Sequence, residues 1–229
     1  MLFRSNLSQE IGDAYFTSMS VFRDASLTAV LAPELRRELG GYSPREHFRQ
    51  RFEPYAHLPP LEQMQAVDFE TYLPGDILVK ADRATMAYSL ESRSPWLDYR
   101  LVELAAKLPS NYKIRGASGK YIFKEAMRQR LPAEILDRPK MGFSVPLSEW
   151  FRTELRSAFE SIVLGGSTET LLSPQEARRM WLEHQRGIVN HERKLWNLLI
   201  LSVWMRARGA ARQNGGFREL ATASDSGCF

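Results

Sequence analysis

The chain has 229 residues, 44% apolar and 25% charged, enough for one buried core or for one domain with an appended helical piece. Its net charge of +4 is mildly basic, and Lys and Arg are interspersed with Asp and Glu, so no nucleic-acid-binding patch is formed. The single cysteine, Cys228, excludes an intramolecular disulfide and fits a reducing cytoplasm, while the start, MLFRSNLSQEIGDAYF, lacks the apolar run of a signal peptide.

In chain order, residues 8 to 22 read as a helix with Ile11, Tyr15, Met19 and Phe22 inward. Pro33 and Gly40-Gly41 bracket a short helix, and Ser43 begins another as N-cap, with Glu46 completing a capping box. After Leu58-Pro59-Pro60 comes a helix from Leu61 to Leu73. Pro74-Gly75 is expected to break it, leaving Asp76 to cap a new helix whose stripe is Ile77, Ala81, Ala84, Thr85 and Tyr88. Lys80, Asp82 and Arg83 fall away from that stripe. Glu91, Arg93 and Asp98 then gather around Pro95 and Trp96. These charges make either an exposed ion-pair network or the polar wall of an active site, and the stretch alone leaves both readings open.

Asp98 to Leu108 is a helix with Leu101, Val102, Leu104, Ala105 and Leu108 apolar, ended by Pro109. A turn from Arg115 to Gly119 leads into a helix from Lys120 to Arg130. Its Gly-Ala-Ser-Gly-Lys departs from a phosphate loop: two residues rather than four separate the glycines, and Tyr121 follows the lysine. An ordinary turn and helix cap is the better reading. Pro132 opens a short helical turn to Asp137. The loop from Arg138 to Pro146 holds Lys140 between two prolines, as a surface lysine or as a fixed cation suited to polyphosphate.

Helices resume at Leu147 to Leu164, break at Gly165-Gly166-Ser167, and restart at Ser173-Pro174. The last runs from Asn190 to Arg208, its apolar run Leu195 to Met205 too short for a membrane span. Residues 209–229 lack periodicity and read as a disordered tail. No stretch alternates as a strand does, so the expectation is a mainly α chain. His47, His57, His184 and His191 have no metal-ligand spacing.

Three stretches, YLPGDILVKADRATMAYSLESRSPWLD, GKYIFKEAM and LPAEILDRPKMGFSVPLSEWF, in this order and spacing, resemble the synthetase domain of glutamine-hydrolysing asparagine synthetases, which are class II glutamine amidotransferases. The likeness is strong over residues 66 to 152 and looser on either side. It implies that residues 1–208 are the helical C-terminal portion of an α/β adenine-nucleotide α-hydrolase-like (PP-loop) synthetase domain, with the parallel sheet largely missing. It also implies ATP with Mg2+, aspartate and glutamine-derived ammonia as the reaction's components, and a cytoplasmic location.

Under that resemblance Lys140 matches the lysine that neutralises the phosphates and the adenylation transition state. Glu91 and Arg93 match the Glu-x-Arg-x-Pro-[Phe/Trp]-Leu-Asp segment and line the ATP and pyrophosphate site, with Asp82 and Lys80 contributing from the preceding helix. Lys120 matches the Gly-Lys helix start, where a structural role outweighs a phosphate contact. The chain departs from the family in three places. Residue 2 is Leu instead of a catalytic Cys, and both the Ser-Gly-Gly-x-Asp-Ser pyrophosphate loop and the acidic Ser-Gly-x-Gly-x-Asp-Glu segment are absent. The expectation is therefore no synthetase activity without the glutaminase domain and the nucleotide-binding sheet, no Mg2+ ligands in this chain, and a patch of exposed apolar residues. Relatives with another acyl substrate, such as β-lactam synthetases or amidotransferases of cell-surface polysaccharide loci, carry the same chemistry. A noncatalytic helical module that binds a partner protein is the reading from a different class.

Overall fold

The structure, a computed structural model, describes residues 10–139, 145–165 and 171–213, with side chains to residue 208. Helices α1 (Ile11–Met19) and α2 (Asp24–Val30) come first. Sequence reading missed α2, whose one buried residue, Val30, makes no periodic stripe. Next are α3 (Pro33–Leu39), α4 (Pro44–Phe52) and α5 (Pro60–Glu70), each with proline in its first turn, where a missing N–H breaks no helical bond. Ser43 caps α4 by accepting the Glu46 N–H at 3.3 Å, and the Glu46 carboxylate pairs with Arg49 at 3.4 Å.

Pro74-Gly75 does not break the chain. A π-helical turn, Leu73–Leu78, runs straight into α6 (Val79–Met86). The wider turn accommodates a proline that lacks an N–H, and the Gly75 N–H still reaches the Thr71 carbonyl at 2.9 Å. Asp76 therefore sits inside a helix instead of capping one, and pairs with Lys80 at 3.1 Å.

Helix α7 (Tyr99–Lys107) is capped by Asp98, whose Oδ1 accepts the Arg100 N–H at 2.9 Å. After α8 (Ser110–Lys113) the chain forms a small antiparallel hairpin, β1 (Ile114–Arg115) with β2 (Ser118–Gly119), where only a turn was expected. Gly116 takes φ +59° at its tip, a left-handed conformation that glycine adopts without strain. Helices α9 (Tyr121–Met127), α10 (Ala133–Leu136), α11 (Leu147–Trp150), α12 (Arg156–Ile162), α13 (Pro174–Gln185) and α14 (Glu192–Gln213) complete the described chain. The helices expected from Leu147 to Leu164 are α11 and α12. α14 continues past Arg208 to Gln213, so the first residues assigned to a tail are helical; 214–229 lie outside the described residues. Among the described residues the named strands are β1 and β2 alone, with no parallel sheet, so the architecture is mainly α.

Two compact units emerge. In the first, formed by residues 10–19 and 43–139, Tyr15, Phe52 and Val67 bring α1, α4 and α5 together, and the Tyr15 and Phe52 rings meet edge-on at 5.3 Å. A Cβ on Gly12 would stand 3.3 Å from Arg49 Cα, which is why α1 and α4 cross closely at a glycine. The Tyr15 hydroxyl donates to Asp68 at 2.5 Å; burial, then this carboxylate, pushes the phenol well above its usual range. Glu62 on α5 accepts from Ser110 at 2.8 Å and from Lys113 at 3.3 Å. Burial raises the Glu62 carboxyl, but these donors outweigh it and hold the group below its ordinary value. From residue 71 to 139, by contrast, Leu136 is the one buried apolar residue.

The second unit, formed by residues 20–42, 145–165 and 171–213, has the larger core. Phe159 stacks on Trp181 at 4.5 Å, and Phe151 meets both edge-on at 5.6 and 6.4 Å. Leu195, Leu198 and Leu199 of α14 seal this cluster, while Val203 on the same helix is 44% exposed. The Ala32 N–H donates to the Leu171 carbonyl at 2.9 Å and the Ser173 N–H to that of Val30 at 2.8 Å, tying the segment after α2 to the start of α13.

Two histidines treated as scattered in the sequence meet in this unit. His184, fully buried, donates from Nε2 to the Ser148 carbonyl at 3.1 Å and accepts the His191 N–H on Nδ1 at 3.2 Å. That pair of bonds requires the neutral ring. His191 Nε2 lies 2.6 Å from Glu183, which also pairs with Arg179 at 2.5 Å. Burial holds the His184 imidazole below its ordinary value. As pH falls below 6.5 the unfolded chain takes up this proton before the folded one, so the stability His184 confers is complete above that value and declines below it. Glu183, also held low, first by its bond to His191, loses stabilisation only below 4.5. Urea midpoints at pH of about 7.5 and 5.5 should therefore differ in the wild type and converge in His184→Gln. Equal midpoints in the wild type would contradict the neutral buried ring.

Candidate functional site

The charged corner that follows α6 begins with a helix end of defined geometry. The Leu90 N–H bonds to the Thr85 carbonyl at 3.1 Å and the Ser89 N–H to that of Met86 at 2.9 Å, with Ser89 at φ +56°. This is the double-bonded helix stop normally completed by glycine, here made by a serine held in the left-handed region. It turns the chain so that Glu91 and Arg93 follow immediately.

Those two side chains pair with each other. Arg93 donates to Glu91 Oε1 from Nε at 2.8 Å and from Nη2 at 2.7 Å, and both remain largely exposed. Asp98 and Arg100 form a second pair at 2.7 Å, and Arg100 holds the Asp98 carboxyl below its usual range. Among the described residues, Asp82 and Lys120 have no ion-pair partner, and Lys80 is engaged by Asp76. Lys120 is the left-handed N-cap of α9, at φ +57°. Lys140 lies outside the described residues. The apolar stripe read from Ile77 to Tyr88 is not packed at either end: Ile77 is 37% and Tyr88 82% exposed.

Contacts that sequence reading missed link the three motif stretches. Trp96, in the corner turn, meets Phe123 of α9 edge-on at 4.5 Å. On the same helix Lys124 and Arg128, one turn apart, reach Asp137 at 3.8 and 3.7 Å. The corner, the Gly-Lys helix and the segment that leads to Lys140 are thus neighbours within one unit. The i, i+4 spacing of Lys124 and Arg128 could have signalled a shared acidic partner, but nothing local names Asp137.

An exposed pair of this kind contributes little to folding. Arg93→Ala is expected to change unfolding free energy by less than about 1 kcal/mol, measured by urea denaturation. A larger loss would mean that the corner has a structural role beyond what this geometry provides. Among the described residues no three His, Cys, Asp or Glu side chains converge as metal ligands.

Residues 4–206 match the family model for asparagine synthase. The chain belongs to the asparagine synthase family. Proteins of Mycobacterium bovis and Mycobacterium tuberculosis are 41% identical to it over 146 residues, spanning 63% of this chain and 22% of theirs. Asparagine synthetase [glutamine-hydrolyzing] 1 of Bacillus subtilis is 33% identical over 144 residues, 63% of this chain and 23% of that protein. The asparagine synthetase [glutamine-hydrolyzing] of Gallus gallus is 36% identical over 97 residues, 39% and 17% respectively. The chain therefore covers less than a quarter of the length of these curated relatives. No solved structure matches. No helix of the described residues is long and apolar enough to cross a membrane.

Proposed function

We propose that this chain is part of a cytoplasmic ATP-dependent amide-forming ligase that converts aspartate to asparagine through β-aspartyl-AMP. The observation that carries this reading is the proximity of the three motif stretches, joined by Trp96–Phe123 and by Lys124 and Arg128 with Asp137, in a chain of the asparagine synthase family.

In the first step an oxygen of the aspartate β-carboxylate attacks the α-phosphorus of ATP. The bond from that phosphorus to the bridging oxygen breaks, and pyrophosphate leaves with the electron pair. In the second, ammonia derived from glutamine attacks the acyl carbon, AMP departs, and the nitrogen loses a proton to give the amide. Negative charge shifts onto the departing pyrophosphate, and the role of Lys140 is to stabilise that charge as a fixed cation. Glu91 and Arg93 shape the wall of the ATP and pyrophosphate site by holding each other, with Asp82 on α6 and Lys120 at the start of α9 as further polar groups of that wall. Mg2+ would enter with the nucleotide and would supply neutralisation of its phosphate charge.

The chain supplies neither a pyrophosphate loop nor a glutaminase nucleophile, so by itself it is inactive. Incubating the purified chain with ATP, aspartate and ammonia should release no pyrophosphate above background. Sustained turnover by the chain alone would overturn this assignment of roles.

A further inference from the structure

The α8 side chains Ser110 and Lys113 reach back to α5 and meet a carboxylate withdrawn from solvent. Lys113 Nζ donates to Glu62 Oε1 at 3.3 Å, to Gln65 Oε1 at 3.1 Å and to the Ala106 carbonyl at 3.4 Å. An ammonium has three N–H donors, so each finds an acceptor and the head group is fixed in direction as well as in place. The Ser110 hydroxyl donates to the same Glu62 oxygen at 2.8 Å. The Glu62 and Lys113 side chains are only 16% and 10% exposed, unlike the open pair of Glu91 and Arg93. An apolar contact is non-directional and can slide, whereas a charge-assisted cluster of this kind admits one geometry. Apolar burial does little to place this part of the chain, since Leu136 is the one buried apolar residue among the described residues from 71 to 139.

Lys113 is the last residue of α8, and the β1–β2 hairpin starts at the next residue. The hairpin ends at Gly119, and Lys120 follows as the N-cap of α9 at φ +57°. A residue other than glycine keeps a left-handed conformation only where its surroundings impose it. Arg115 supplies one such brace: it donates to the Tyr121 hydroxyl, and its guanidinium lies 4.9 Å from the centre of that ring. From α9, Phe123 reaches Trp96 of the corner, and Lys124 and Arg128 reach Asp137 on the way to Lys140. We infer that Glu62 and Lys113 are positioning residues of the ligase: their pair sets where α9 begins, and so sets the Glu91 and Arg93 corner and the segment leading to Lys140 against each other. The inference rests on the ligase reading above. It adds two residues outside the three motif stretches on which the geometry of that site depends.

Two measurements test it. In this chain, Glu62→Gln leaves the Lys113 ammonium without its counter-ion. Hydrogen exchange of amides 114–127 should then speed up about tenfold or more, while amides of α1 and α4 exchange as in the wild type. A uniform acceleration, or none, would overturn the proposal. In the complete ligase, Glu62→Leu/Lys113→Met removes both charges together, a replacement that leaves no unpaired ion behind. Its aspartate-dependent pyrophosphate release, measured per folded molecule, should lose about tenfold or more in kcat, with KM for ATP within about threefold. A pair that is merely structural would move the urea midpoint of this variant and leave kcat unchanged, and that result would overturn the positioning role while the ligase reading stands. A complete wild-type protein that releases no aspartate-dependent pyrophosphate would instead remove the ligase reading, and the exchange measurement would still decide whether the pair sets the start of α9.

Discussion

Phe159→Ala is expected to destabilise the unit containing α11 to α14 by about 3–5 kcal/mol. Phe159 is fully buried, stacks on Trp181 at 4.5 Å and receives the edge of Phe151 at 5.6 Å. Truncation removes its transfer free energy and leaves a cavity lined by two rings that cannot collapse into it, because both are fixed by other contacts. Aromatic pairing adds about 0.5–1.5 kcal/mol beyond area. Against a typical total of about 5–15 kcal/mol, this is a large fraction of the stability of the unit. Urea unfolding followed by tryptophan fluorescence measures it. Tyr88→Ala, at a residue 82% exposed, is the control and should move the midpoint by less than about 0.5 kcal/mol equivalent. Equal midpoints for Phe159→Ala and wild type would mean that the aromatic cluster is not the core of this unit.

Lys140→Ala in the complete ligase is expected to lower aspartate-dependent pyrophosphate release about 10²–10³-fold, the usual loss when one preorganised electrostatic group is removed from a transition state. The urea midpoint should not move. Lys140→Arg should recover only part of the rate, since a planar guanidinium does not reproduce the position of a compact ammonium. The physical argument is differential: the charge on the departing pyrophosphate grows as the bond breaks, so a cation there favours the transition state over bound ATP. A rate within twofold of wild type for Lys140→Ala would remove the lysine from the chemistry.

Much of the helical framework was legible because it is written in local signals. Pro33, Pro44 and Pro60 mark helix starts, and Ser43 and Asp98 cap the helices that follow them. The apolar run that begins at Leu195 was legible as part of the last helix, and the structure buries Leu195, Leu198 and Leu199 of it. The failures have non-local causes. Pro74-Gly75 reads as a break, but a π-helical turn carries the chain through it, and that depends on the helices on either side. The His184–His191 contact joins the end of α13 to the start of α14, and no ligand spacing encodes it. The stripe along α6 was legible as a pattern but not as an exposed face, because the pattern states that a face is apolar and not what covers it. At the candidate site the residue types of the corner were readable, but the mutual pairing of Glu91 with Arg93 and the reach of Lys124 to Asp137 needed coordinates.

The central claim, that the ligase activates a carboxylate by adenylation, is tested most directly by isotope transfer. Aspartate carrying 18O in its β-carboxylate, turned over by the complete ligase with ATP and ammonia, should deliver one 18O to the phosphoryl group of AMP as asparagine forms. Appearance of the label in inorganic phosphate, with ADP as the nucleotide product, would contradict it.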